Sequence, residues 1–315
     1  MKKIIILGIV VFLFACGKNV NKTIFMEKPE KIIDLDCMFL YSSIPNNDRL
    51  YIAAQDPVIF IYDINTFEQL GEIRHKGSGP GEFRDVSDMI LVEDSLLVFK
   101  DYGNSRINWY TTSDKYIKSI NNTSAFMLRN LNNDIFCIDT SGENNSLYSF
   151  KKIENDSLKY LFSFENVIPI DSRLSSYELF NDYIIVSYTT PQKGNTIIKL
   201  DYIGNKLDFN IDYKSIKPKY NNPYYSLGKD SKGELFIICS SEQKGKKRVM
   251  KAEGVEFDVA HNEGKFVYFN KLGKVKKQCS IEDCFIMMDV KEYKNSFYIS
   301  DRYDARVLKY NTKTK

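Results

Sequence analysis

Short apolar segments bounded by polar turn residues recur along the whole chain. Six of them are LYIA at 50–53, LLVF at 96–99, IFCI at 135–138, YIIV at 183–186, LFII at 235–238 and FYIS at 297–300. Each is too short for a helix and rich in β-branched or aromatic residues, which fits a buried strand. Turn-forming residues precede each one: Asn47-Asp48, Glu93-Asp94, Asn132-Asn133, Asn181-Asp182, Lys232-Gly233 and Lys294-Asn295. Aligned on Ile52, Val98, Phe136, Ile185, Phe236 and Tyr298, the segments step by 46, 38, 49, 51 and 62 residues. Outside the N-terminal apolar run no segment keeps an i, i+3, i+4, i+7 stripe over three turns, so an α-rich fold is not expected.

The second unit shows the phase most clearly. Its four strands, a to d, are expected at 86–92, 96–100, 106–110 and 116–120. The last unit has a strand near 285–290, then 297–300 and 306–310, and the chain ends one strand short. A spare strand, KIIDL at 31–35, stands before the first unit. An open edge strand is a template for aggregation, and pairing the two ends removes it. Repeats of about 50 residues with variable loops suit four-stranded blades. The expected fold is therefore all-β, a six-bladed β-propeller of four-stranded antiparallel blades, with the last blade closed by the N-terminal strand.

Two units match residue by residue. DYGNSRINWY at 101–110 aligns with DRYDARVLKY at 301–310, an Asp/Asn turn between two strands in each case. Together with KGSGPGEF at 76–83, these residues make the chain resemble six-bladed β-propeller lipoproteins of the NHL-repeat and TolB-like kind over residues 30–315. The resemblance implies the fold and not an activity, because this fold hosts binding modules, scaffolds and several enzymes. In its hydrolase members one divalent cation sits at the channel mouth, on carboxylates and amides of the inner strands. The positions that could serve here are Asp85, Asp88, Glu178 and Asp289, and their spacing assembles no set of six to eight oxygens.

The N-terminus reads MKKIIILGIVVFLFAC. Lys2 and Lys3 precede an apolar run that is too short for a bilayer core needing roughly 20 residues, the pattern of a secretory signal. Leu13-Phe14-Ala15-Cys16 resembles a bacterial lipobox, which implies cleavage after Ala15 and lipid on the Cys16 thiol, with several acyl chains giving a stable anchor. The chain then divides into a signal peptide at 1–15, a lipid-anchored tether at 16–29 and the propeller at 30–315. Gly17, Lys18 and Asn19 follow Cys16 without an acidic cluster, which leans towards an outer-membrane anchor facing the periplasm.

Composition narrows the function classes. Hydrophobic residues are 43% and charged residues 27%, so a folded core is expected. The 44 basic and 41 acidic residues leave a formal charge of +3, which offers no general field for nucleic acid. Two histidines do not support multi-histidine metal chemistry, and no cofactor is expected. Cys37, Cys137 and Cys239 lie in apolar runs and read as buried thiols. An oxidising compartment permits a disulfide between Cys279 and Cys284.

Strand parity assigns loops to faces. The d-to-a connections and b-to-c turns share one face, which collects Gly77, Gly79, Gly81, Asp101, Asn104, Arg106, Asp301, Asp304 and Arg306, the candidate binding face. His75, His261 and the insertion at 241–263 belong to the same side. The glycines read as a turn needing positive φ, because no Lys-Ser/Thr pair or helix follows to cradle a phosphate. The arginines could hold a ligand carboxylate or pair with the local aspartates to fix the turns. Lys244, Lys246, Lys247, Arg248 and Lys251 could meet an anionic glycan or lipid headgroup, or be a solvated run. The expectation is a membrane-anchored, non-enzymatic module that binds a protein or glycan on this face. The alternatives are a metal-dependent hydrolase or lyase at the central channel, and a structural subunit with a large apolar patch on its rim or one face.

Overall fold

The computed structural model describes residues 23–25, 31–35 and 40–311, apart from 56, 122–123, 141–147, 193, 212–223, 231, 253–254, 271–272, 282–286, 295 and 302–304. Six antiparallel sheets follow one another along the chain. Blade one holds β3 (Leu40–Asn46), β4 (Arg49–Ala54), β5 (Ile59–Asp63) and β6 (Gln69–Ile73). Blade two holds β7 (Val86–Val92), β8 (Leu96–Asp101), β9 (Arg106–Thr111) and β10 (Tyr116–Asn121). Blade three holds β11 (Ala125–Leu131), β12 (Asp134–Asp139), β13 (Ser149–Glu154) and β14 (Ser157–Ser163). Blade four holds β15 (Arg173–Leu179), β16 (Ile184–Thr190), β17 (Gly194–Leu200) and β18 (Lys206–Leu207). Blade five holds β19 (Tyr224–Lys229), β20 (Leu235–Ala252), β21 (Val255–Phe269) and β22 (Val275–Ile281). Blade six holds β23 (Met287–Tyr293), β24 (Ser296–Asp301) and β25 (Arg306–Asn311), and β2 (Lys31–Asp34) supplies its fourth strand.

The inner strands β3, β7, β11, β15, β19 and β23 each touch the next and the last touches the first, so the sheets close into a six-bladed propeller around an axis. Closure uses both ends of the chain. Strand β2 runs antiparallel to β25, with Lys31 opposite Lys309 and Asp34 opposite Arg306, and Leu35 N–H donates to Ala305 O at 2.9 Å. The edge that β25 would otherwise expose is thereby paired. One further strand, β1 (Thr23–Phe25), lies parallel to β22 at Gln278–Ser280, inside the segment expected to be a tether.

The core is divided among the six blade interfaces, because successive side chains of a strand point to opposite faces of its sheet. On β4, Tyr51 and Ala53 join Phe83, Met89, Phe99 and Tyr110 between blades one and two. Leu50 and Ile52 point the other way and meet Ile33, Tyr298 and Val307 between blades one and six. Four more clusters fill the remaining interfaces. A strand buried on both faces reads as an unbroken apolar run, which is why the second strand of every blade is the clearest feature of the sequence. Turn chemistry agrees, since Asn132, Asn133, Asn155 and Asp156 all take the positive φ of tight hairpins.

The last inner strand departs from the expected 285–290 and runs Met287–Tyr293. Asp289, Lys291 and Glu292 interrupt its apolar residues, so the run FIMM at 285–288 points to a start two residues too early. The register places the a-to-b and c-to-d turns on one face and the b-to-c turns and d-to-a connections on the other. Lys31 sits at the end of β25 away from the Asp301–Arg306 turn. The chain therefore enters the ring on the first face, here the entry face, and the 77–83 loop lies on the second, the loop face.

Candidate functional site

Five of the six inner strands contain a β-bulge in the half nearer the loop face, between Leu40 and Ser42, Val86 and Met89, Phe126 and Arg129, Leu174 and Ser176, and Met287 and Asp289. A bulge bends its strand and re-aims the side chains around it. Here it accompanies a ring of polar groups around the axis, Ser42, Asp88, Arg129, Glu178, Lys229 and Asp289, with Lys291 beside Asp289, in which acids and bases alternate from blade two to blade six.

These groups are tied across blade boundaries. Ser42 Oγ donates to Asp289 Oδ2 at 2.8 Å, and Lys291 Nζ lies 3.0 Å from Asp289 Oδ1. Met127 N–H donates to Asp88 Oδ2 at 2.7 Å. Arg129 Nε donates to Tyr177 O at 3.2 Å and stands 3.9 Å from Glu178 Oε2. Lys229 Nζ reaches Leu179 O at 3.0 Å and Glu178 Oε1 at 3.6 Å. The two aspartates are pushed apart by their surroundings. Burial raises the Asp88 carboxyl above its ordinary value, against Arg129 and the Met127 amide. Burial also acts upward on Asp289, but Lys291, Arg129 and Ser42 together overturn it and hold that carboxyl below the ordinary value. Arg129 shows the same balance. Its burial is outweighed by Glu178 and other negative groups, and its guanidinium is held more firmly charged than usual.

Of the four acids named as cation candidates, Asp88, Glu178 and Asp289 stand on inner strands, and Asp85 lies one residue before β7. No three His, Cys, Asp or Glu side chains gather into a metal-holding group among the described residues. Each axial acid instead faces an ammonium, a guanidinium or a backbone amide, so this set does not fit a divalent cation needing six to eight oxygens. The arrangement suits a ligand that carries both donors and acceptors. Arg129, Lys229 and Lys291 were not expected. Their only signal is a charge inside a strand whose limits must first be known.

At the loop-face mouth, Tyr102 is 55% exposed and its N–H donates to Asp85 O at 3.1 Å. Burial and the charge of Asp101 raise the Asp85 carboxyl, and its Oδ1 has no hydrogen-bond partner among the described residues. Lys100 is buried, with Nζ 5.8 Å from the Tyr102 ring centre. That burial lowers its ammonium pKa against the pull of Asp101, Cys137, Asp139 and Asp88.

Most of the candidate binding face is built into a buckle on blade two. Asn104 Nδ2 donates to Gly77 O and to Asp101 Oδ2, both at 2.8 Å. Arg106 donates to Gly79 O at 2.9 Å, to Ser78 O at 3.4 Å and to Glu82 O. Tyr110 Oη donates to Gly81 O, and the Gly79 N–H donates to Glu82 Oε2 at 2.7 Å. Asp101, fully buried, accepts from the N–H groups of Arg84, Asp85 and Asn104 at 3.1, 3.3 and 3.2 Å. Gly81 has φ +77°, and a Cβ there would stand 3.1 Å from the Tyr116 ring, so both backbone and space call for glycine. In blade six the copy is simpler, with Arg306 Nε and Nη2 donating to Asp301 Oδ2 at 3.1 and 3.0 Å. His75 Nε2 lies 2.7 Å from Asp114 Oδ1. Cys16, Cys37, Cys284 and Asp304, and the side chains of Cys279, His261 and the basic run, lie outside the described residues.

Among the described residues the large exposed apolar side chains are scattered. Leu70, Ile117, Tyr160 and Leu207 stand one each on the outer strands of blades one to four, and Ile170 and Ile203 lie on opposite faces. Single exposures of this kind are ordinary on a protein surface.

No protein-family model and no curated protein matches the chain. Solved structures do resemble it. A member of the DUF4221 family from Bacteroides vulgatus ATCC 8482 is 12% identical, covering 90% of this chain and 96% of that one with a TM-score of 0.55. The "Putative exported protein" of Bacteroides fragilis NCTC 9343 is 11% identical, covering 85% of this chain and 82% of that one with a TM-score of 0.53. The computationally designed Ika8 protein is 10% identical, covering 88% and 98% with a TM-score of 0.54. At these identities the likeness is one of fold.

Proposed function

We propose that this chain is a lipid-anchored cell-envelope β-propeller of the NHL-repeat and TolB-like kind, and that it works as a binding module for a protein or glycan on its loop face. The lipid is carried on Cys16 and holds the protein to the outer membrane, facing the periplasm. The likeness to a protein named for export supports an envelope address.

The observation that carries the reading is the hairpin of blade five. β20 and β21 are 18 and 15 residues long, and they stay paired to Ala252 and Val255, well past Ser240, where the pairing of β20 with β19 ends. The extension springs from the b-to-c end of its blade, the loop face. A two-stranded ribbon adds nothing to ring closure and is marginal alone in water. A rigid scaffold presenting such a projection is the usual form of a recognition surface.

The test is photo-crosslinking in intact cells, with a crosslinking residue at position 250 of the hairpin or at position 117 on the rim. The expected result is a discrete adduct from position 250 only. Replacing residues 243–262 by an Asn-Gly turn is expected to leave the melting temperature unchanged, and to abolish any adduct formed from position 102 on the same face. Equal adducts from both positions, or none from either, would reject the reading. Cys16→Ser is expected to release the protein from the membrane fraction.

A further inference from the structure

The axial ring is ordered in levels along the channel, independently of the loop-face partner proposed above. Ser42 and Asp289 pair with Ala53 and Ser300, one residue in from the loop-face ends of β4 and β24, and Asp88 lies in the bulge at the same level of blade two. Arg129 and Lys291 pair with Phe136 and Tyr298, two residues further in. Glu178 and Lys229 pair with Ile185 and Leu235, two further again. Two residues of strand rise about 7 Å. Acids therefore stand at the loop-face level, cations one level below, and the Glu178–Lys229 pair at the third.

The ring is open to solvent. The side chains of Lys291, Asp289 and Arg129 are 32%, 19% and 19% exposed, although Val290 and Leu128 beside them on the same strands are buried. The inner strands touch one another around the axis, so the space that reaches these groups is the channel they enclose. Their hydrogen-bonding capacity is only partly spent. Lys291 Nζ meets Asp289 Oδ1 and keeps two of its three N–H groups among the described residues. Arg129 gives Nε to Tyr177 O and Nη1 to Leu128 O, and its Nη2 meets no acceptor among the described residues. Asp88 accepts on Oδ2 from Met127 N–H, and its Oδ1 meets no donor among the described residues. Burial makes the ionised form of Asp88 a burden on the fold, which Arg129 and Lys291 offset only in part, and an ammonium group beside it would supply the missing partner.

An open carboxylate one level above two unspent cations asks for a ligand that carries both charges close together. An α-amino acid holds them on one carbon. The long side chains close the distance between the levels, as Lys291 does in reaching Asp289. A metal ion would leave the cations unanswered, and a neutral sugar would meet neither charge. We infer that the channel binds a free α-amino acid, its ammonium group on Asp88 and its carboxylate between Arg129 and Lys291, through charge-assisted hydrogen bonds.

The test is isothermal titration of the full chain in detergent with each of the common α-amino acids, and with the N-acetyl and carboxamide derivatives of any that binds. The expected result is saturable binding of at least one amino acid. Each derivative should bind about tenfold or more weakly, because it loses hydrogen bonds to a charged group. Asp88→Asn and Lys291→Met are each expected to weaken binding about tenfold or more, Asp88→Asn without a fall in melting temperature. Lys206→Gln, on the outer strand of blade four, should leave it unchanged. The chain with residues 243–262 replaced by an Asn-Gly turn should also bind normally, which separates this site from the loop-face partner. No binding by any of the amino acids would overturn the proposal. So would equal affinity for the N-acetyl derivative, or binding that survives Asp88→Asn unchanged.

Discussion

Arg106→Met distinguishes a structural buckle from a ligand-holding arginine. The Arg106 side chain is 10% exposed and its Nε is 3.4 Å from Asp101 Oδ2. Its guanidinium also satisfies the carbonyls of Ser78, Gly79 and Glu82, which anchor the 77–83 loop to blade two. Breaking a buried ion pair by removing one partner typically costs about 3–5 kcal/mol. Asp101 would keep the amide donors of Arg84, Asp85 and Asn104 and the Nδ2 of Asn104, so the lower end of that range applies to its charge. A loss of about 3 kcal/mol is expected, which for a domain of this size is a fall in melting temperature of about 6–12 °C. The assay is calorimetric or spectroscopic melting, joined to hydrogen exchange at the Gly77 and Phe83 amides, which are bonded to Phe83 O and His75 O. Both amides are expected to lose protection. Arg106→Lys keeps the charge without the planar fork and should recover only part of the loss. A fall in melting temperature of less than about 2 °C, equivalent to under about 1 kcal/mol, with both amides still protected, would refute the buckle and return Arg106 to ligand binding.

Three further outcomes are expected. Asp88 and Asp289 should act with opposite sign in acid: the raised pKa of Asp88 makes its ionised form a burden on the fold, relieved as pH falls through the folded value, whereas the lowered pKa of Asp289 adds stability above the ordinary value of 3.8 that is lost as pH falls through its folded value. Melting from pH 7 to pH 3 should therefore show Asp88→Asn neutral or stabilising near pH 7 and Asp289→Asn destabilising there, and the same sign for both would contradict the axial electrostatics. Gly81→Ala forces a Cβ into a left-handed position against Tyr116 and should cost about 1–2 kcal/mol by denaturant titration. Burial pushes the thiols of Cys137 and Cys239 up to about 12, so iodoacetamide at pH 8 should label neither until the protein unfolds.

The parts legible in the sequence were those with local causes. All six second strands appear where apolar runs and their turn residues put them, and in blade two the four observed strands start at the expected residues. The spare strand at 31–35 pairs in the last blade as expected. The axial ring was half visible. Asp88, Glu178 and Asp289 are legible as acids of inner strands, but Arg129, Lys229 and Lys291 are not, because a cation among polar neighbours has no signature until the strand that carries it is placed. The buckle was visible as a motif without its meaning. The spacing from Asp101 to Arg106 marks a turn, but only the packed ring brings Arg106 onto the carbonyls of Ser78, Gly79 and Glu82, more than twenty residues earlier in the chain.

The sequence by itself determined the strand class, the sixfold count and the closure of the ring, because these follow from alternation, turn chemistry and the pairing needs of an edge, all readable within a few residues of each position. Only the tertiary structure decided which charges meet at the axis and which polar groups are consumed in holding a loop. Those outcomes depend on contacts between residues as far apart as Asn47 and Lys294, whose geometry is set by how the blades pack and not by anything near either residue in the chain.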